Sequence, residues 1–246
     1  MGGHRSRWLI ASMAVLVTGC GGRSSQPPGF ESVGTSAPTE TAELMLRHYD
    51  HARTLSSAAI FGDEGRARAS ATAIHEEDDL VRVPGDAEDE YRAFQASVAS
   101  VEEADGREEL ARSAATVARE CGDCHLASGL GPTFSVGRPD EVVTPRDHLR
   151  VLAWGSSRMW ESLVGGSDLA WRAGARALSG ELLREELYAS RVSDAEIDSA
   201  RALSEQLHGL GVEALATSTR NERARVLGEI WGTCSACHEL VGIGRS

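Results

Sequence analysis

Apolar residues return every three or four positions through most of the chain, in eight separate stretches. This spacing is the period of an amphipathic helix, in which one face is buried and the opposite face is polar. The stretches fall into two sets of four, at residues 39–128 and 144–246, and the connections within each set are short. Short connections favour antiparallel neighbours. The pattern therefore predicts an all-α fold of two tandem four-helix up-down-up-down bundles.

Capping residues predict where the helices begin and end. The first helix is predicted from Thr39 to Phe61, where Gly62 ends it, and a capping box at residues 105–108 is predicted to begin the fourth. In the second set, the predicted helix starts are marked by Thr144 with Asp147, by Ser167, by Ser193 with Glu196, and by Thr219 with Glu222. Residues 180–192 have no counterpart in the first set and predict a short additional helix.

The remaining residues form an N-terminal extension and a linker. Residues 1–19 place an apolar run, Trp8–Val17, after two arginines. This is typical of an export signal, and the run is about half as long as a membrane-spanning helix. Residues 20–38 are rich in glycine, serine and proline and predict a flexible tether. Residues 129–143 contain glycine and proline and predict a linker between the bundles.

The residues before Cys20 resemble the end of a bacterial lipoprotein signal, with Thr18 as a departure from that pattern. The resemblance implies that Cys20 carries lipid and that Gly21 directs the protein to the outer membrane. The chain would then belong to the bacterial cell envelope, anchored by lipid alone and facing the periplasm or the cell surface. An ordinary secretory signal with an unmodified Cys20 is the alternative.

The sequence C-x-x-C-H occurs twice, once at the end of each predicted fourth helix. Two thiols one helical turn apart suit covalent attachment to the two vinyl groups of one haem, and the adjacent imidazole suits the iron. We therefore predict two covalently bound haem c groups, attached through Cys121, Cys124, Cys234 and Cys237, with His125 and His238 as axial iron ligands. The alternatives are a redox-active dithiol and a zinc site shared by the two motifs. With Cys20 lipidated, no cysteine is left for a disulfide.

The second axial ligand should come from the start of the first helix, which lies beside the end of the fourth in a bundle of this topology. Met45 follows Thr41 by four residues and His148 follows Thr144 by four residues, so both occupy the same position in the two halves. Methionine and histidine commonly complete a c-type haem, which makes these two side chains the distal candidates. His48, one turn after Met45, is an alternative ligand.

Four antiparallel helices with C-x-x-C-H at the end of the fourth resemble cytochrome c-prime and related four-helix-bundle c-type cytochromes. Residues 45–49 and the later Gly62 resemble the opening of such bundles. The second half departs from the pattern, because His148 replaces the methionine and Val151 stands where His48 would be. The resemblance also implies that a residue deeper in the first helix of a bundle, here Met159, can cover the iron.

The formal net charge is −12, and arginine supplies every positive side chain other than histidine. So acidic a chain argues against a nucleic-acid partner and favours a redox partner protein with a basic docking face. No group of nucleophile, base and orienting residue indicates an enzyme.

We predict a dihaem c-type cytochrome that carries electrons in the periplasm or at the outer membrane. A five-coordinate haem protein that binds or senses small gases such as NO or CO is the alternative, and a structural lipoprotein with vestigial haems is a third possibility.

The linker predicts how the two haems are related. It joins the haem ends of both bundles, and a flexible chain of about 17 residues has a root-mean-square span of roughly 23 Å. The two haems are therefore expected to face each other across the domain junction. With His/Met ligands at the first site and His/His at the second, the first haem should have the higher potential.

Overall fold

The computed structural model describes residues 39–77, 83, 85–137, 139, 142 and 144–243, and within them the chain is helical. The eight α-helices of this part are α1 (Thr39–Phe61), α2 (Glu64–Glu76), α3 (Glu88–Glu103), α4 (Arg107–Ser128), α5 (Pro145–Gly165), α6 (Asp168–Leu178), α7 (Asp194–Ala216) and α8 (Arg220–Leu240). Short 3-10 helices cover Gly85–Ala87 and Glu185–Leu187. The predicted all-α class is confirmed. The predicted signal, the tether and Cys20 lie outside the described residues.

Most of the predicted helix starts are confirmed. Thr144, Ser167, Ser193 and Thr219 are the N-caps of α5, α6, α7 and α8. The capping box predicted at residues 105–108 is wrong by one residue, because the N-cap of α4 is Gly106, with φ of +82°. The carboxylate of Glu109 accepts a hydrogen bond from the backbone N–H of Asp105 instead.

Helices that follow one another in sequence pack together within each half of the chain, and α1 also contacts α4 while α5 contacts α8. The two halves meet mainly through α4 and α8, which are antiparallel. Arg107 at the start of α4 forms an ion pair with Glu239 near the end of α8. Arg220 at the start of α8 forms one with Asp123 near the end of α4, with 2.5 Å between Nε and Oδ1.

The largest buried cluster extends through both halves. It contains alanine, leucine and valine side chains from α1 to α4 together with tryptophans of the second half. Trp231 donates from Nε1 to Oγ of Ser156 at 2.9 Å, and Trp171 donates to the carbonyl of Ala214 at 2.8 Å, so both indoles are buried with a partner. None of the described helices is long and apolar enough to cross a membrane.

Part of the linker lies along α5. Phe134 stacks on Tyr49 of α1 with 6.2 Å between ring centroids, and it also contacts Trp160 of α5. The carbonyl of Ser135 accepts a hydrogen bond of 2.7 Å from Arg158, and the carbonyl of Pro132 approaches Gly165. The chain therefore leaves the end of α4 and runs back towards the start of α5, antiparallel to that helix.

The contact between α4 and α8 can be tested with two glycines of α8. A Cβ at Gly228 would lie 2.9 Å from the backbone Cα of Arg112, whereas a Cβ at Gly232 would be 3.9 Å from its nearest neighbour, the Cβ of Ala111. We expect Gly228→Ala to lower the free energy of unfolding by about 1–3 kcal/mol through overpacking. Gly232→Ala, the matched control, should raise it by up to about 1 kcal/mol, because alanine is the better helix former. Urea denaturation of both variants measures this, and equal stabilisation by both would show that α4 and α8 do not pack this closely.

Candidate functional site

The first C-x-x-C-H motif lies in the last two turns of α4, beside a cleft. The side chains that line it come from α1, α3 and α4 and from α5 of the other half: Met45, His48, Tyr49, Ala52, Tyr91, Phe94, Cys121, Cys124, His125, Trp160 and Val164. Most of these side chains are apolar or aromatic, and the polar atoms among them include those of the two histidines. The end of α4 therefore meets the first turns of α1, as the sequence predicts.

His125 is oriented by the other half of the chain. Its Nδ1 lies 3.0 Å from the carbonyl oxygen of Val164, near the end of α5. Since a carbonyl can only accept, Nδ1 carries the proton and Nε2 keeps its lone pair. Burial lowers the pKa of His125, so the imidazole is neutral at neutral pH. A neutral imidazole with a carbonyl behind it is the usual form of a metal-binding histidine.

An ion-pair network also holds the first motif in place. Arg220 of α8 donates from Nη2 to the carbonyl of Leu163 at 2.7 Å and to that of Arg119 at 2.9 Å, in addition to its ion pair with Asp123 of the motif. Gly122 is the second residue of the motif, and a Cβ there would lie 1.9 Å from the carbonyl oxygen of Leu163. Only glycine therefore lets α4 approach the end of α5 this closely.

The second motif, at the end of α8, has a matching environment. Nδ1 of His238 lies 3.0 Å from the carbonyl oxygen of Ile60, near the end of α1. The ring of Phe61 stacks on His238 with 4.6 Å between centroids. Burial lowers the pKa of His238. The segment predicted as an additional helix, residues 180–192, contains the short helix Glu185–Leu187, and its apolar residues pack around Cys237.

The two carbonyl acceptors occupy equivalent places in the two halves. Ile60 and Val164 each lie two residues before a glycine with positive φ, Gly62 at +67° and Gly166 at +72°. Each motif histidine thus bonds the end of the first helix of the opposite half. Neither half alone supplies both the histidine and the group that orients it.

The four motif thiols are poorly suited to thiolate chemistry. Burial raises the pKa of Cys121 and of Cys234 to about 12 and that of Cys124 to about 11, and it also raises the pKa of Cys237. Reactive dithiols have the opposite environment, in which nearby positive charge lowers the pKa of a thiol. In the described part of the chain, no group of three or more His, Cys, Asp or Glu side chains could hold a metal ion by itself.

The distal candidates are placed as follows. Met45 and His48 both line the cleft of the first motif. His148 is buried in α5, two turns before Ser156. The hydroxyl of Ser156 accepts a hydrogen bond from Trp231, which lies two turns before His238 in α8. Since α5 and α8 are antiparallel, His148 lies at the level of His238. Met159 is fully buried against Gly174 of α6, as a core residue.

The two motifs lie at opposite ends of the molecule, so the expectation that they face each other is wrong. His125 contacts the carbonyl of Val164, and Arg220 contacts the carbonyl of Leu163, the preceding residue. His125 and Arg220 therefore lie at the same level of the molecule. Eighteen residues of α8 separate Arg220 from His238, a rise of about 27 Å. A linker of about 17 residues can extend to more than about 50 Å, and the described part follows α5 instead of coiling at one end.

Sequence reasoning missed several residues that shape these sites. These are the carbonyls of Ile60 and Val164 and the guanidinium of Arg220, and each comes from the half of the chain opposite to the motif that it contacts. The helix-ending glycines at 62 and 166 are visible in the sequence, but only the packing of the two halves shows what they face.

Comparison with protein-family models, with curated proteins and with solved structures finds no match to this chain. The resemblance to cytochrome c-prime therefore depends on the motifs and the helix pattern of the chain itself.

Glu161 of α5 lies next to the cleft-lining Trp160 and offers a pH test of this region. Its carboxylate pairs with Arg158, but Oε2 has no hydrogen-bond partner among the described residues. Burial raises the pKa of Glu161 to about 7 against the opposing effect of Arg158.

Because the folded pKa exceeds the unfolded one, the native state holds this proton more tightly, and stability falls as the pH rises from about 4.5 to 7. Glu161→Gln has no such titration. We expect the stability of the wild type relative to this variant to fall by roughly 1–3 kcal/mol between pH 4.5 and pH 8. Urea denaturation of both proteins at these two values measures the change, and a constant difference would contradict the buried carboxyl.

Proposed function

We propose that this chain is a dihaem c-type cytochrome that carries single electrons in the bacterial cell envelope. In this proposal, α1–α4 and α5–α8 form two four-helix bundles, each with a haem attached to the C-x-x-C-H motif of its last helix. The observation that carries the proposal is the pair of contacts from His125 to Val164 and from His238 to Ile60.

The residues at both motifs fit a covalently attached haem. Each imidazole is held on Nδ1 and left neutral, so that Nε2 is available to iron. A haem iron takes four ligands from the porphyrin and needs only two from the protein, so a cluster of three protein ligands is not required. The cysteines lie one helical turn apart, the spacing that two thioether bonds need.

When bound, such a haem would supply the one-electron chemistry. The chain itself would set the conditions at each site. The carbonyls of Ile60 and Val164 orient the imidazoles and raise their basicity, which strengthens them as ligands. Tyr91, Phe94 and Trp160 line the same cleft as His125 and give it aromatic walls.

Several further features belong to the same proposal. Lipidation at Cys20 and residence at the outer membrane would tether the protein close to membrane-bound redox partners. An acidic chain would attract a partner with a basic docking face. At the first motif, Met45 and His48 from α1 line the same cleft as His125, which favours a six-coordinate carrier over an open gas-binding site.

The decisive measurement is the number of covalently bound haems per chain. Full-length protein, produced in a bacterium with haem-attachment machinery, should show by intact mass a gain of two haems. Cys121→Ala with Cys124→Ala should remove one haem, and the matched pair Cys234→Ala with Cys237→Ala should remove the other. Both partial proteins should keep a reversible one-electron couple, because each motif attaches its haem independently.

A mature protein that carries four free thiols and no porphyrin would overturn the proposal. Carbon monoxide separates the two haem functions. A six-coordinate carrier should change its reduced spectrum only weakly, whereas rapid stoichiometric binding at both irons would favour a gas-binding protein.

A further inference from the structure

The first cleft contains one polar atom whose surroundings are unusual. His48 is only 6% exposed, and its ring lies 5.6 Å from that of Phe94. Its Nε2 is fully buried and has no hydrogen-bond partner in the part of the chain that the structure describes. A buried nitrogen without a hydrogen-bond partner destabilises the fold. The cost is avoided if a ligand in the cleft uses the nitrogen.

The His48 ring is held between α3 and the end of α2. It packs against Phe94 of α3, and Glu77, the C-cap residue of α2, is a near neighbour. The carboxylate of Glu77 pairs with Arg47, the residue before His48, at 3.1 Å. The ring is therefore enclosed by packing while its Nε2 stays unpaired.

His48 also shares its cleft with the histidine of the first motif. His48 and His125 come from different helices, α1 and α4, and both line the cleft.

Met45, the other candidate in the cleft, lacks these features. It is one turn before His48 and only partly buried. A thioether is a weak acceptor that packs well against apolar groups without a partner. Leaving Met45 unligated therefore costs little, whereas leaving His48 unligated buries a bare nitrogen.

We propose that His48, and not Met45, is the second axial ligand of the haem iron at the first motif. This inference rests on the proposed function and names the ligand that it leaves open. With His148 on the second iron, both sites would have two histidine ligands. The two potentials should then be closer together than a His/Met and His/His pair would give.

The test uses the full-length holoprotein and two matched variants, His48→Leu and Met45→Leu. We expect two low-spin haems in the wild type, without the methionine-to-iron charge-transfer band, and no change in Met45→Leu. In His48→Leu, one of the two haems should become high-spin and bind about one equivalent of CO when reduced. If Met45 replaces His48 as the ligand, this haem should instead show a new methionine-to-iron band. Electron paramagnetic resonance, near-infrared spectra and CO titration report these states.

A methionine-to-iron band in the wild type that disappears in Met45→Leu would overturn the inference, and so would two unchanged low-spin, CO-inert haems in His48→Leu. If His48→Leu does not fold, His48→Gly with added imidazole replaces it, and recovery of the low-spin signal on titration with imidazole is the supporting result. If added imidazole does not change the spectrum of His48→Gly, His48 is not the iron ligand. The number of bound haems distinguishes failure of the proposed function from failure of this inference. A wild type without covalent haem would contradict the proposed function. Two bound haems with an unchanged spectrum in His48→Leu would contradict only the role of His48.

Discussion

The antiparallel contact between α4 and α8 is the constraint on which the rest of the structure depends. Each of these helices carries its C-x-x-C-H motif at the C-terminal end, so antiparallel packing sends the motifs to opposite ends of the molecule. It also brings the end of each motif helix to the end of the first helix of the other half. The close approach of Gly228 to Arg112 and the ion pair between Arg220 and Asp123 fix this register.

This arrangement makes each half part of the other half's site. The carbonyls that orient His125 and His238 are those of Val164 and Ile60, backbone groups near a helix end that have no partner further along the helix. Each hydrogen bond gives the helix-end carbonyl a donor, and it also fixes the tautomer of the imidazole. The halves resemble each other in sequence pattern, but the surroundings of each motif histidine are completed only by the pair.

The helices, most of their caps and the composition of both motifs could be predicted from the sequence, because they depend on residues within one or two turns. Thr144 with Asp147 is such a local signal, and it is confirmed. The relation between the halves could not be predicted in this way. It depends on which glycine faces which backbone and on Phe134 holding the linker against Tyr49, contacts between residues far apart in the chain. Treating the linker as a random coil therefore gave the wrong arrangement of the motifs.

The separation of the motifs limits how two bound haems could cooperate. Electron tunnelling decays exponentially with distance, and about 27 Å of α8 lies between the level of Arg220 and His238. Direct exchange between the two irons would then be slow compared with exchange at either end. The intervening core is mainly aliphatic, although Trp231 and Trp160 lie within it. If both haems are bound as proposed, each would therefore exchange electrons with a partner at its own end of the α4–α8 pair.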